Sequence, residues 1–166
     1  NSAFGYQALQ VNISGFENSA FGNQALQVNI SGFDNSALGY QALHANTTGI
    51  RNTSIGAYAM QTNTTGSNNI AVGNFALSGS VSSNENVAIG NDSLGIEQTA
   101  SQNVAIGYGA ALSQNGATGN VAIGWGALEN NTTSFTTAIG TQALQSNIFG
   151  SSNTAVGYQT LLSNTT

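Results

Sequence analysis

The chain has no cysteine, no proline and no lysine, and Arg51 is its only arginine. Without cysteine it can form neither disulfide bonds nor a cysteine-ligated zinc site. One arginine cannot neutralise a row of phosphates, so the composition argues against nucleic-acid binding. Polar residues interrupt every apolar run well before the ~20 residues that a membrane-spanning helix needs. Charged residues are only 4% of the chain, against roughly a quarter in ordinary domains.

Small and uncharged residues fill the space that charge leaves. The 166 residues include 21 glycines and 23 asparagines, and 40% of the chain is hydrophobic. The formal net charge is -5. This combination is unlike that of disordered chains, which have few apolar residues and a high net charge.

One motif repeats along the whole chain. The pentad Asn-x-Ala-apolar-Gly recurs every 17 residues, and we predict a single repeat array over residues 1–166. The eighth repeat has 16 residues and the tenth has 14, so we interpret the chain as a segment of a longer fibre. The repeats begin at Asn1, Asn18, Asn35, Asn52, Asn69, Asn86, Asn103, Asn120, Thr136 and Asn153.

The length of the repeat and its columns predict an all-β fold, a β-solenoid (parallel β-roll or β-helix) of ten coils. Seventeen residues are too few for a helical hairpin, but they suit a coil of two short strands and two turns. Positions 2 to 6 predict the first strand because β-branched residues are frequent there, as in residues 87–89. A second strand is predicted near positions 8 to 12, and a helical turn at positions 6 to 9 is the alternative. Ten coils at about 4.8 Å each give a rod of roughly 48 Å.

The stacked columns leave several interpretations open. Alanine at position 3 and glycine at position 5 indicate a close contact, either with the opposite wall of the same coil or with another chain. Glycine could instead supply a positive φ at a bend. Asparagine at position 1 predicts a hydrogen-bonded ladder of side-chain amides, or a turn former before each strand.

Thin coils of this kind favour association. Each coil offers about two large apolar side chains, worth ~1.5–3 kcal/mol each when buried, against a backbone entropy of ~1–2 kcal/mol per residue. We therefore expect a homo-oligomer, with a trimer favoured because a cyclic assembly brings one column together with its copies. An end-to-end filament is the alternative.

Two groups of fibrous proteins carry similar repeats. Residues 86–90, 103–107 and 120–124 all read Asn-Val-Ala-Ile-Gly and resemble the head repeats of YadA-like trimeric autotransporter adhesins. The fuller unit at residues 153–159 is similar to arrays in phage and giant-virus tail-fibre proteins. The resemblance implies a fibre or adhesin on a virion or cell surface. The 17-residue period is longer than the usual adhesin-head coil.

The sequence predicts no enzyme, and we assign no catalytic, cofactor-binding or metal-binding residue. His44 takes the place of glutamine at position 10 and is interpreted as its solvated substitute. At position 17, Glu17, Asp34 and Arg51 follow one another, which predicts a partial ion pair. Ca²⁺ held between Glu17 and Asp34 is the alternative, although Ca²⁺ prefers 6–8 oxygen ligands.

Two further columns bear on partners. The aromatic residues at position 6 predict half-buried packing or, if exposed, a stripe that binds sugar or protein; they are Tyr6, Tyr40, Tyr108, Trp125 and Tyr158. Nine Asn-x-Ser/Thr sequons also follow the repeat, and the turn residues Asn46 and Asn63 are the candidates for glycosylation.

We therefore predict a structural repeat segment of an extracellular or virion fibre, filament or adhesin stalk. It would project from a surface and bind a host glycan or protein. An ice-binding or glycan-binding solenoid is the alternative. Position 2 mixes serine, threonine, isoleucine and valine, whereas an ice-binding face needs regular threonine.

Overall fold

The computed structural model describes residues 1–96, 99–114 and 116–164, so the last two residues of the tenth repeat lie outside the described residues. Within these ranges the protein is all-β and has no helix. The strands are β1 (Ser2–Phe4), β2 (Val11–Asn12), β3 (Ser19–Phe21), β4 (Val28–Asn29), β5 (Ser36–Leu38), β6 (Thr53–Ile55), β7 (Ile70–Val72), β8 (Val87–Ile89), β9 (Val104–Ile106), β10 (Val121–Ile123), β11 (Asn130–Asn131), β12 (Thr137–Ile139), β13 (Ser146–Asn147) and β14 (Thr154–Val156).

A single parallel sheet runs along the molecule and contains one strand from each repeat, in the order β1-β3-β5-β6-β7-β8-β9-β10-β12-β14. Each residue pairs with its counterpart 17 residues on, as Ala3 does with Ala20. Between β10 and β12 the offset is 16, since Val121 pairs with Thr137. The chain is thus a β-solenoid, and about nine turns of the coil join the ten strands.

The first strand of each coil is shorter than predicted, covering positions 2 to 4 and not 2 to 6. It ends there because glycine at position 5 has a φ between 127° and 141°. Positions 7 and 9 then adopt left-handed conformations, as Gln41 (φ 53°) and Leu43 (φ 51°) do. These left-handed residues reverse the chain in a tight turn, and the alternative of a helical turn is wrong. Among the described residues the second strand forms in four coils only, at positions 11 and 12.

The interior of the coil is filled by one large side chain per repeat and by alanines. Position 9 points inward, and Leu26, Leu43, Met60 and Leu77 are fully buried there. The alanines at positions 3 and 8 belong to the same buried cluster. The alanine column therefore packs against the opposite wall of its own coil, one of the two contacts that the sequence left open.

Glycine at position 5 is required for two reasons at once. Its φ lies in a region that L side chains rarely adopt. A Cβ on Gly22 would also lie 2.4 Å from the carbonyl oxygen of Gly39 in the next coil. The column thus supplies both the bend and the close approach between successive turns.

Candidate functional site

A ladder of buried asparagine side chains at position 1 holds the coils together. In the fourth coil, the Nδ2 of Asn52 donates to the carbonyl oxygen of Gly66 at 2.8 Å and to the Oδ1 of Asn35 at 3.2 Å. The Oδ1 of Asn52 in turn accepts from the backbone N–H of Asn69 at 3.1 Å. The predicted amide ladder is confirmed, and it links each coil to both of its neighbours.

A second ladder, at position 12, runs parallel to the first. The Nδ2 of Asn46 donates to the Oδ1 of Asn29 at 2.8 Å and to the carbonyl oxygen of Gly49 at 3.0 Å. Position 15 must be glycine beside this ladder, because a Cβ on Gly32 would lie 2.4 Å from the Oδ1 of Asn29. Position 15 therefore carries a side chain only where the ladder is interrupted.

The position-12 ladder is interrupted in the fifth repeat. Ser80 replaces asparagine at position 12, and Ser83 replaces glycine at position 15. The Oδ1 of Asn63, the Oγ of Ser80 and the Oγ of Ser83 are buried and have no hydrogen-bond partner among the described residues. This junction is a weak point of the interior, since an unsatisfied buried polar atom costs about 1–3 kcal/mol.

The outer face of the long sheet is apolar along the whole rod. We call this surface the apolar ridge and define it by the position-4 side chains Phe4, Phe21, Leu38, Ile55, Val72, Ile89, Ile106, Ile123, Ile139 and Val156. Exposure ranges from 77% at Phe4 to 37% at Ile106 among the ridge residues that are most exposed. Contiguous apolar surface of this extent marks an interaction site in soluble proteins.

The edge of the rod formed by positions 6, 7 and 10 carries a different set of side chains. The aromatic residues at position 6 are exposed, from 42% at Tyr40 to 71% at Tyr158, so the half-buried packing that we favoured from the sequence is wrong. Position 7 is filled by side chains that stack on one another. Gln41 donates from Nε2 to the Oε1 of Gln24 at 2.6 Å, and the rings of Tyr58 and Phe75 stack at 4.8 Å.

This filled column is open over two coils, where Gly109 and Gly126 occupy position 7. The gap is a cleft of about 110 Å³ that we call the trench. Position 6 forms one wall and position 10 the other, and Asp92 closes one end. The trench is lined by Asp92, Tyr108, Gly109, Leu112, Trp125, Gly126 and Glu129.

The candidate ionic residues lie in the second and third coils, away from the trench. The Nε of Arg51 is 3.8 Å from the Oδ2 of Asp34, which confirms the predicted ion pair. The guanidinium carbon also lies 5.8 Å from the centre of the Phe33 ring. His44 is half-buried at position 10, and burial lowers the pKa of its imidazole.

The described residues contain no group of three or more His, Cys, Asp or Glu side chains that could hold a metal ion. Glu17 and Asp34 supply too few oxygen atoms by themselves for Ca²⁺, and Asp34 already faces Arg51. In the same part of the chain no helix is long and apolar enough to cross a membrane.

The asparagines that we selected as glycosylation candidates are not accessible. Asn46 and Asn63 are fully buried in the position-12 ladder, so that expectation is wrong. The sequence could not distinguish them from exposed turn residues because both environments favour asparagine. Asn91 and Asn130 are the exposed sequon asparagines among the described residues.

No protein-family model, curated protein or solved structure matches this chain. Its function must therefore be argued from the ladders, the apolar ridge and the edge of the rod.

Proposed function

We propose that the chain is a structural repeat segment of an extracellular or virion fibre, filament or adhesin stalk. Its repeats associate side by side through the apolar ridge into a homo-oligomer, and three chains are the favoured number. The resemblance to YadA-like adhesin heads and to tail-fibre arrays supports the same role. End-to-end stacking into a filament is the alternative arrangement.

The observation that carries the proposal is the apolar ridge. Large apolar side chains normally fill an interior, but here position 9 and the alanines already fill it. The ridge therefore has no contact with the core of its own chain, and it repeats once per coil along the sheet. A matching ridge on a second or third copy would cover it over its full length.

The structure changes the interface that we expected from the sequence. The small-residue column at position 3 is buried inside each coil and is not available to meet its copies at a symmetry axis. In the proposed oligomer the position-4 side chains take that place. Ile70 of position 2, with 42% exposure, adds to the same face.

Light scattering coupled to size-exclusion chromatography tests the proposal. We expect the mass of a trimer for the native chain and a shift toward monomer when Ile55, Ile89 and Ile106 are all replaced by threonine, which keeps the β-branch. The matched control replaces Ile13 and Ile30, which are exposed at position 13, where Thr47 and Thr64 occur naturally. A monomeric native chain, or equal dissociation in the control, would refute the ridge as an interface.

A glycan-binding solenoid is the second candidate, favoured by the exposed aromatic rings at position 6. Tyr6 and Tyr158 expose 68% and 71% of their surface and could stack on sugar rings. Binding to an array of glycans that is lost in Tyr6→Ala and Tyr158→Ala would support it. Retention of all binding in those variants would count against it. The absence of enzymatic activity stays a prediction.

A further inference from the structure

The trench exists because two side chains are missing, and the backbone does not explain their absence. Gly109 and Gly126 both have a φ of 61°. Gln41 and Phe75 hold side chains in the same column at φ 53° and 56°. A Cβ on Gly109 would meet nothing within 4 Å. Neither conformation nor packing therefore requires glycine at Gly109, and the space remains open for another molecule.

Electron-rich groups surround this space. Tyr108 and Trp125 are half-exposed position-6 neighbours, 56% and 48% accessible. The carboxylates of Asp92 and Glu129 complete the lining, and Glu129 accepts a hydrogen bond from the Nε2 of Gln145. Aromatic faces and carboxylates share a preference for positive charge.

The chain itself supplies no cation to these carboxylates. It contains no lysine, and its single arginine, Arg51, pairs with Asp34 in the third coil. His44 belongs to the third coil as well, and burial lowers the pKa of its imidazole. The positive charge that the trench is suited to must therefore come from another molecule.

We propose that the trench binds a small organic cation, an ammonium group carrying methyl or alkyl substituents. Its charge lies between the carboxylates of Asp92 and Glu129, and its substituents contact the rings of Tyr108 and Trp125. A cleft of about 110 Å³ holds one such group and not an extended chain. The proposal depends on neither the fibre nor the oligomer.

Fluorescence provides a direct measurement, because Trp125 is the only tryptophan of the chain and lines the trench. The full chain is titrated with choline, with its uncharged isostere 3,3-dimethyl-1-butanol and with N-acetylglucosamine. We expect a saturable change in Trp125 emission with choline only. The affinity should fall as salt is added, because screening weakens the attraction between exposed charges.

Two variants and one control test the site. Gly109→Gln fills the trench with the side chain found at Gln41 in the same column, and we expect it to abolish choline binding. Asp92→Asn removes one charge without changing shape and should weaken binding by about five- to tenfold. Glu17→Gln removes the same charge from an exposed position in the first coil and should have no effect. Circular dichroism confirms that each variant is folded.

Three results would overturn the proposal. The first is an equal response to choline and to the uncharged isostere, and the second is choline binding that survives Gly109→Gln in a folded chain. The third is a response to N-acetylglucosamine alone, which would favour the glycan-binding candidate. The fibre proposal is judged separately, by the oligomeric mass of the ridge variants.

Discussion

Replacing Asn52 by alanine tests how much one step of the position-1 ladder contributes to stability. The change removes four hydrogen bonds: two that the Nδ2 donates, to Gly66 and Asn35, and two that the Oδ1 accepts, from the backbone N–H and the Nδ2 of Asn69. At ~0.5–1.5 kcal/mol for each bond, we expect a loss of about 2–6 kcal/mol in the free energy of unfolding. The buried N–H of Asn69 is left without its acceptor.

Ser54→Ala is the matched control in the same coil. Its hydroxyl donates one hydrogen bond, at 2.8 Å to the carbonyl oxygen of Ala59. That oxygen also accepts from the N–H of Leu43 at 2.9 Å, so it stays satisfied, and alanine occupies this position in the other repeats. We expect a change of about 1 kcal/mol or less.

Urea unfolding followed by circular dichroism measures both variants, and hydrogen exchange reports on the N–H of Asn69 directly. We expect that proton to exchange much faster in the Asn52 variant than in the Ser54 variant. Equal unfolding free energies for the two variants would refute the assignment of the ladder as a main stabilising element. So would unchanged exchange at Asn69.

Three further changes test other columns. Ser80→Asn alone should destabilise the chain, because the new amide would collide with the Cβ of Ser83, whereas the double change with Ser83→Gly should extend the ladder and raise the unfolding free energy by about 1–3 kcal/mol; additive effects of the two changes would contradict this. Gly73→Ala should cost at least about 3 kcal/mol, because its Cβ would lie 2.5 Å from a carbonyl oxygen at φ 139°, while Gly109→Ala should be nearly neutral in the same thermal melts; similar melting temperatures would refute the close approach. Burial lowers the pKa of His44 from 6.5, so the folded state resists protonation and stability should fall as the pH drops below 6.5; His44→Gln should reduce this pH dependence, and an unchanged dependence would exclude His44 as its source.

The sequence was sufficient to predict the stacking of coils. A period of 17 with nearly invariant columns fixes which residues pair, and the register follows it through the short eighth repeat. The amide ladder at position 1 also followed, because asparagine in every coil can pair only with its own copies. Strand length did not follow, because alternating residues do not reveal that glycine at position 5 turns the chain.

The sequence did not reveal which face of the sheet is inside. Large apolar residues at position 4 are natural candidates for a core, yet they lie outside. The coil is too thin for them, because the leucine of position 9 reaches across from the opposite wall to the alanine of position 3. The two halves of the coil had to be placed together before the ridge became visible.

Two signals in the sequence could have shown more. Glycine occurs at position 15 only in repeats that have asparagine at position 12, and serine or alanine occurs there beside Ser80 and Gln114. That co-occurrence indicates contact between the two columns. Likewise, Gly109 and Gly126 interrupt a column that carries side chains in the other repeats, which marks the trench.

Distances between spin labels test most directly whether every repeat stacks on the one before. Because the chain has no cysteine, paired cysteine substitutions can be labelled selectively at the exposed position-17 residues. Pairs at Glu17 and Glu85 and at Glu17 and Gln102 span four and five coils, and spin-diluted samples exclude contacts between chains. We predict separations near 19 and 24 Å, which is about 4.8 Å for each coil. Equal separations for the two pairs, or broad distributions with no increment per coil, would contradict the solenoid.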